Sequence, residues 1–131
     1  MMSNRMFDLK VTDFTKYPGP RYISLGDNSG EEFREQYLIE ALKDDPEVSV
    51  NLDGVLGYGS SFLEEIFGGI VRAMPSHPAT IHPNGEPIVK HDFITLEMIN
   101  FIGDNLVSND DPSVIQEVNS YISRQINEIE G

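Results

Sequence analysis

The sequence predicts an α/β fold, a mixed sheet of about four strands packed by helices, and three observations carry that expectation. Short alternating segments such as Val48-Ser49-Val50-Asn51-Leu52 have the period of half-buried strands. Between them lie helical stripes, the broadest being Phe62, Leu63, Ile66, Phe67, Ile70, Val71 and Met74. The 131 residues suit one domain able to bury about two-thirds of its unfolded surface. Strands separated by amphipathic helices pack as layers. The order read along residues 1–131 is β-β-α-β-α-(ribbon or loop)-α-β-α.

Phe7–Thr12 alternates apolar and polar residues and reads as a strand. Tyr17-Pro18-Gly19-Pro20 is a turn, and Arg21–Leu25 reads as a second strand ended by Gly26, the two forming a hairpin at the sheet's edge. Ser29 and Glu32 have capping-box spacing before a helix whose face carries Phe33, Tyr37, Leu38, Ala41 and Leu42. Asp44-Asp45-Pro46 ends it, and Val48–Leu52 is the expected central strand. The next helix runs from about Ser61 to Met74.

Residues 75–92 hold four of the eight prolines. Asn84-Gly85 suits a tight turn between Thr80–His82 and Ile88–Lys90, which makes an edge ribbon, and a loop is the alternative. Thr95 is placed to cap a short helix, Leu96–Ile102, closed by Gly103, although Phe93–Phe101 also reads as extended. Leu106-Val107 is a short strand. Asp111-Pro112 opens a last helix with Val114, Ile115, Val118, Tyr121, Ile122, Gln125 and Ile129 on one face.

Twenty-two acidic residues against nine basic give a formal net charge of −13. Such a surface repels nucleic-acid backbones and anionic membranes and steers basic partner surfaces, besides keeping a small protein soluble. With no cysteine, disulfides and thiolate metal sites are excluded. No apolar run suits a signal peptide or a membrane span, and the expectation is a cytoplasmic chain.

The specific stretch is Leu52–Gly69. A strand ends in the acid Asp53, a turn with Gly57 and Gly59 follows, and Ser60 and Ser61 open a helix. The carboxyl end of a strand in an open α/β sheet is a usual place for a site. Ser61 and Glu64 match a capping box, so a tight strand-to-helix connection accounts for the same residues. Glu64 and Glu65 project about 100° apart on a helix, which suits solvated acids better than a catalytic pair. Ser60, His77 and Asp53 are the types of a nucleophilic triad, yet no nucleophile elbow is present. His77, His82 and His91, with Asp92, lack the spacing of metal ligands on one helical turn. Arg21 and Arg34 suit either an anion site or an ion pair, with Asp53 as the expected partner.

The stretch resembles the helix entry of STAS domains, the fold of bacterial anti-sigma factor antagonists, where a strand ending in an acid leads to Asp-Ser-Ser/Thr-Gly and an amphipathic helix. The whole chain is still more similar to a STAS-like bacterial family without assigned activity. Four segments carry that likeness: Pro18–Arg21, Ser29–Arg34, the long string Tyr58–Gly69, and Asp111–Ser113. The resemblance implies a regulatory module without catalytic residues, cofactor or metal. It implies a monomer or weak homodimer that binds a histidine-kinase-type ATPase or an anti-sigma-like factor. The partner surface would comprise Asp53, Gly57, Tyr58, Gly59, Ser60, Ser61, Phe62, Glu64 and Glu65. The serine phosphorylated in antagonist STAS proteins aligns with Ser60, but Gly59 stands where the family has aspartate. Two other classes remain open at this point: a small nucleotide-binding or hydrolytic enzyme using the same turn, and an acidic mimic of nucleic acid.

Overall fold

The structure is a computed structural model and describes residues 7–131. Two strands, β1 (Phe7–Lys10) and β2 (Val48–Asn51), pair in parallel, with Phe7 opposite Val48 and Leu9 opposite Val50. Val107 adds to the other side of β2: Leu52 N–H donates to its carbonyl at 2.7 Å, and its own N–H donates to Val50 at 3.0 Å. β2 is thus central, as its alternating sequence implies, but the sheet is smaller than the expected four strands. Val107 contributes only a single bridge, to Asn51.

The expected hairpin of Phe7–Thr12 with Arg21–Leu25 is not formed. Residues Val11–Asp13 and Ile23–Leu25 are 3-10 turns. The carbonyls of Pro20 and Arg21 accept from Gly30 N–H at 2.9 Å and Glu31 N–H at 3.0 Å. This segment therefore satisfies the free donors at a helix start, and its hydrogen bonds are committed away from a sheet.

That helix is one rod in three parts: α1 (Gly30–Phe33), a π-helical stretch (Arg34–Leu38) and α2 (Ile39–Asp44). Ser29 caps it, its hydroxyl accepting from Glu32 N–H at 3.0 Å. Next come α3 (Ser60–Arg72), α4 (Leu96–Asp104) and α5 (Ser113–Glu130). The central helix is α3, packed between α1 and α5, and Phe62, Leu63, Ile66, Phe67, Ile70 and Val71 on it are all buried. At Gly30 a Cβ would lie 2.5 Å from the Phe62 carbonyl, so α1 and α3 touch backbone to backbone there.

Residues 80–88 form the ribbon. His82 N–H donates to Glu86 at 2.8 Å, Ile88 N–H to Thr80 at 2.9 Å, and Ile81 bridges Pro87. Lys90 fastens it to the end of α3, its ammonium donating to the carbonyls of Arg72, Met74 and His77 at 2.7, 3.2 and 3.0 Å. A cation on terminal carbonyls also complements the helix dipole. Thr95 caps α4, accepting from Met98 N–H at 3.2 Å. Gly103 lies inside α4 and does not close it; a Cβ there would meet Asn119 Oδ1 of α5 at 2.6 Å. None of the described helices is long and apolar enough to cross a membrane.

Candidate functional site

The chain leaves β2 at buried Leu52 and enters a loop fixed at several points. Asp53 accepts from Asp110 N–H at 2.8 Å and from Asn109 Nδ2 at 2.9 Å, while Asp110 Oδ2 accepts from Gly54 N–H at 2.9 Å. This reciprocal clamp joins the loop after β2 to the loop after Val107. The Asp110 N–H chiefly holds the Asp53 carboxyl below its usual range, partial desolvation opposing and the Asn109 amide assisting. Tyr58 donates its hydroxyl to the Leu52 carbonyl at 2.7 Å and stacks on Phe62. Burial, then the charges of Asp53 and Asp110, raise its phenol pKa. Leu56 N–H donates to Lys16 at 3.1 Å. Gly54 at φ 88° and Gly57 at φ 136° occupy backbone regions that cost a side chain strain.

The loop's outer side is open. Leu56 is 78% exposed, and Gly57, Gly59, Ser60 and Ser61 are exposed as well. Gly59 is the N-cap of α3, and no side chain caps that helix. The Ser61–Glu64 capping box read from the sequence is therefore not formed: Ser61 lies within the first turn, and the Glu64 carboxylate is engaged elsewhere. Phe62 is fully buried, so of the residues read as a partner surface it belongs to the core.

Glu64 and Glu65 are the larger surprise, since the sequence suggests solvated acids. Glu65 is 0% exposed and Arg34 is 2% exposed. Arg34 donates through Nη1 to Glu65 Oε2 at 2.6 Å and to the Glu65 carbonyl at 2.9 Å, and through Nε to Glu35 at 2.9 Å. Arg72 grips Glu64 with two bonds, 2.7 and 3.0 Å. Arg21 Nη1 bridges Glu64 and Glu65, reaching the latter at 3.1 Å. Burial alone would raise the Glu64 carboxyl, yet Arg72 and then Arg21 outweigh it and hold the pKa below its usual value. The two carboxylates do not project apart as adjacent helical positions suggest: both turn towards Arg21, and Arg72 also reaches the two of them. Arg21 and Arg34 are thus in ion pairs, with these glutamates and not with Asp53.

Glycines make the room. Gly68 and Gly69 follow the glutamates by four residues, one helical turn along the same face. A Cβ at Gly69 would lie 2.5 Å from Arg34 Nη1, and one at Gly68 would lie 2.2 Å from Glu64 Oε2. The Glu-Glu-x-x-Gly-Gly spacing was the available sequence signal for this cluster.

The histidines occupy three separate settings. His77 Nδ1 accepts from Ala79 N–H at 3.0 Å, which places its proton on Nε2, 2.9 Å from Gln125 Oε1. Burial holds its pKa below the ordinary value, the Gln125 bond partly opposing. His91 meets Glu35 at 2.8 Å, and His82 lies edge-on to Tyr22. Among the described residues no group of three or more His, Asp or Glu is arranged to hold a metal ion. Ser60 opens α3, which is about 20 Å long by its rise per residue, and His77 follows beyond its far end, so the nucleophilic triad is not assembled.

No curated protein and no solved structure matches the chain. A family model does. Residues 29–82, from the Ser29 cap through Arg34, the turn and the Glu64–Gly69 cluster to His82, match a family described as a STAS-like domain of unknown function.

Proposed function

We propose that this chain is a non-catalytic interaction module that docks a protein partner through the loop Asp53–Ser61. The observation that supports it most is Leu56, an exposed apolar side chain on a loop whose backbone is held by the Asp53–Asp110 clamp, Tyr58 and Lys16. A preorganised contact loses little conformational freedom on binding, which favours affinity from a small surface. Following the STAS likeness, the partner class is a histidine-kinase-type ATPase or an anti-sigma-like factor. The docking face is Leu56, Gly57, Gly59, Ser60 and Ser61, with Asp53 and Tyr58 bracing it from beneath. Ser60 is the position for a release switch: a phosphate there adds about −1.5 to −2 charge at the contact.

Affinity capture from the native cytoplasm tests this. Leu56→Glu and Ser60→Asp should both lose the partner while the circular dichroism spectrum and melting temperature stay unchanged. Retention of the same partner by both variants rejects the loop as the docking face.

A further inference from the structure

A cavity of about 450 Å³ opens beside the arginine–glutamate cluster, lined by Arg21, Tyr22, Glu64, Arg72 and His82, with apolar walls from Ile81, Pro83 and Ile88 of the ribbon. Its volume is that of a site for a compact small molecule. The polar groups at its base have unequal capacity left. Glu64 already accepts from both Arg72 amino groups and from Arg21, so most of its carboxylate's capacity is taken. Arg21 spends only Nη1 on the glutamates, leaving Nη2 and Nε without a partner among the described residues. Tyr22 is 7% exposed and His82 6% exposed, yet neither the phenol hydroxyl nor the imidazole hydrogen-bonds to a described residue. The nearest acid to His82 is Glu65, at 4.0 Å.

Among the described residues no buried side-chain nitrogen or oxygen lacks a partner, so these groups are not orphaned in the interior; they open onto the cavity, where a ligand can reach them. The unspent capacity here is mostly donor: two guanidinium nitrogens, a phenol hydroxyl and one imidazole N–H. Charge does not oppose an acceptor. Among the residues that line the cavity two arginines face Glu64 and Glu128, and Glu65 behind them is paired with buried Arg34, so the acidity of the whole chain is not repeated inside.

We propose that this cavity binds a small organic anion, a single carboxylate or phosphate on a compact apolar body. The anion takes the free nitrogens of Arg21, the Tyr22 hydroxyl and His82, while the body rests on Ile81, Pro83 and Ile88. The site is separate from the docking loop, so Leu56→Glu leaves it intact.

Titration of the full chain with benzoate, phenyl phosphate, inorganic phosphate and neutral benzamide, followed by NMR of the Tyr22 and His82 rings, tests the proposal. At least one of the two aromatic anions should saturate, with benzamide at least about tenfold weaker, the value of one lost charged hydrogen bond. The tighter anion assigns the headgroup as carboxylate or phosphate. Tyr22→Phe removes a hydroxyl that has no protein partner, so it should leave the melting temperature unchanged and weaken binding several-fold. Arg21→Gln should weaken it by about tenfold or more, Glu64 remaining held by Arg72. No saturable ring shift with any probe, equal binding of benzamide and benzoate, or unaltered affinity in Tyr22→Phe each overturns the assignment.

Discussion

Gly57, just before the long string Tyr58–Gly69, and Gly69, at its end, are glycine for opposite reasons. At Gly57 a Cβ would find nothing within 4 Å, but φ is 136°, so the constraint is on the backbone. At Gly69 the backbone is ordinary helix and the space is taken by the Arg34 guanidinium. The first belongs to an exposed loop shaped by its own chain. The second belongs to a buried cluster shaped by residues up to 44 positions distant. The exposed loop and the internal ion-pair network thus sit one helical turn apart, and the difference between them is measurable.

The widest separation should come from Glu65→Ala. It leaves the Nη1 end of buried Arg34 without a carboxylate, Glu35 holding only Nε, and removing one partner of a buried pair costs about 3–5 kcal/mol. Urea unfolding reads this directly, and a loss below about 1 kcal/mol would place the cluster with ordinary surface pairs. Next is Gly69→Ala, expected to destabilise by about 1–3 kcal/mol through overpacking and to shift the Arg34 Nε resonance. Gly57→Ala should cost about 1 kcal/mol of strain and leave that resonance in place. An identical Arg34 response from both would dissolve the distinction.

The acid dependence sharpens it further. The folded-state pKa of His77 lies below its ordinary 6.5, so beneath that pH the unfolded chain binds a proton that the folded chain refuses. Stability should therefore fall as pH drops from 6.5 towards the folded value. In His77→Gln this part of the slope should vanish; an unchanged slope there assigns the proton uptake elsewhere. Glu64, also depressed, adds a second loss at lower pH, beginning near the ordinary 4.5 and extending through its folded value. The smallest effect is reserved for Ser61→Ala, expected within about 0.5 kcal/mol because Gly59 is the N-cap. Ser29→Ala should cost about 1 kcal/mol. A comparable cost at Ser61 would mean that its hydroxyl does cap the helix.

The parts of the fold read from local chemistry are those governed by local chemistry. Ser29 caps its helix, Asn84-Gly85 turns the ribbon with Gly85 at φ 90°, Thr95 caps α4, and Asp111 accepts from Ser113 N–H at 3.2 Å where α5 begins. Arg21–Leu25 was misread because its carbonyls serve a helix start that no period reveals. The glutamates were misread for a similar reason. Their spacing suggests side chains that point apart into solvent, but burial and direction are decided by Arg21 and Arg34, which reach α3 only after the chain has folded. Local rules placed the turn, and tertiary partners determined which of its neighbours remain on the surface.

The π-helical stretch gives Arg34 its place in an unexpected currency, chain length. A π turn holds one residue more than an α turn, and each residue added or removed rotates what precedes it by about 100°. Deletion of exposed Gln36 would let the rod relax into uninterrupted α-helix and swing Arg34 away from Glu65, with every charged side chain retained. Helix content would hold while the buried pair was lost. The place of Arg34 would then depend on a residue with no side-chain hydrogen bond to either member of the pair, and a one-residue gap at this point in a related chain would mark a molecule that solves the problem of Glu65 differently.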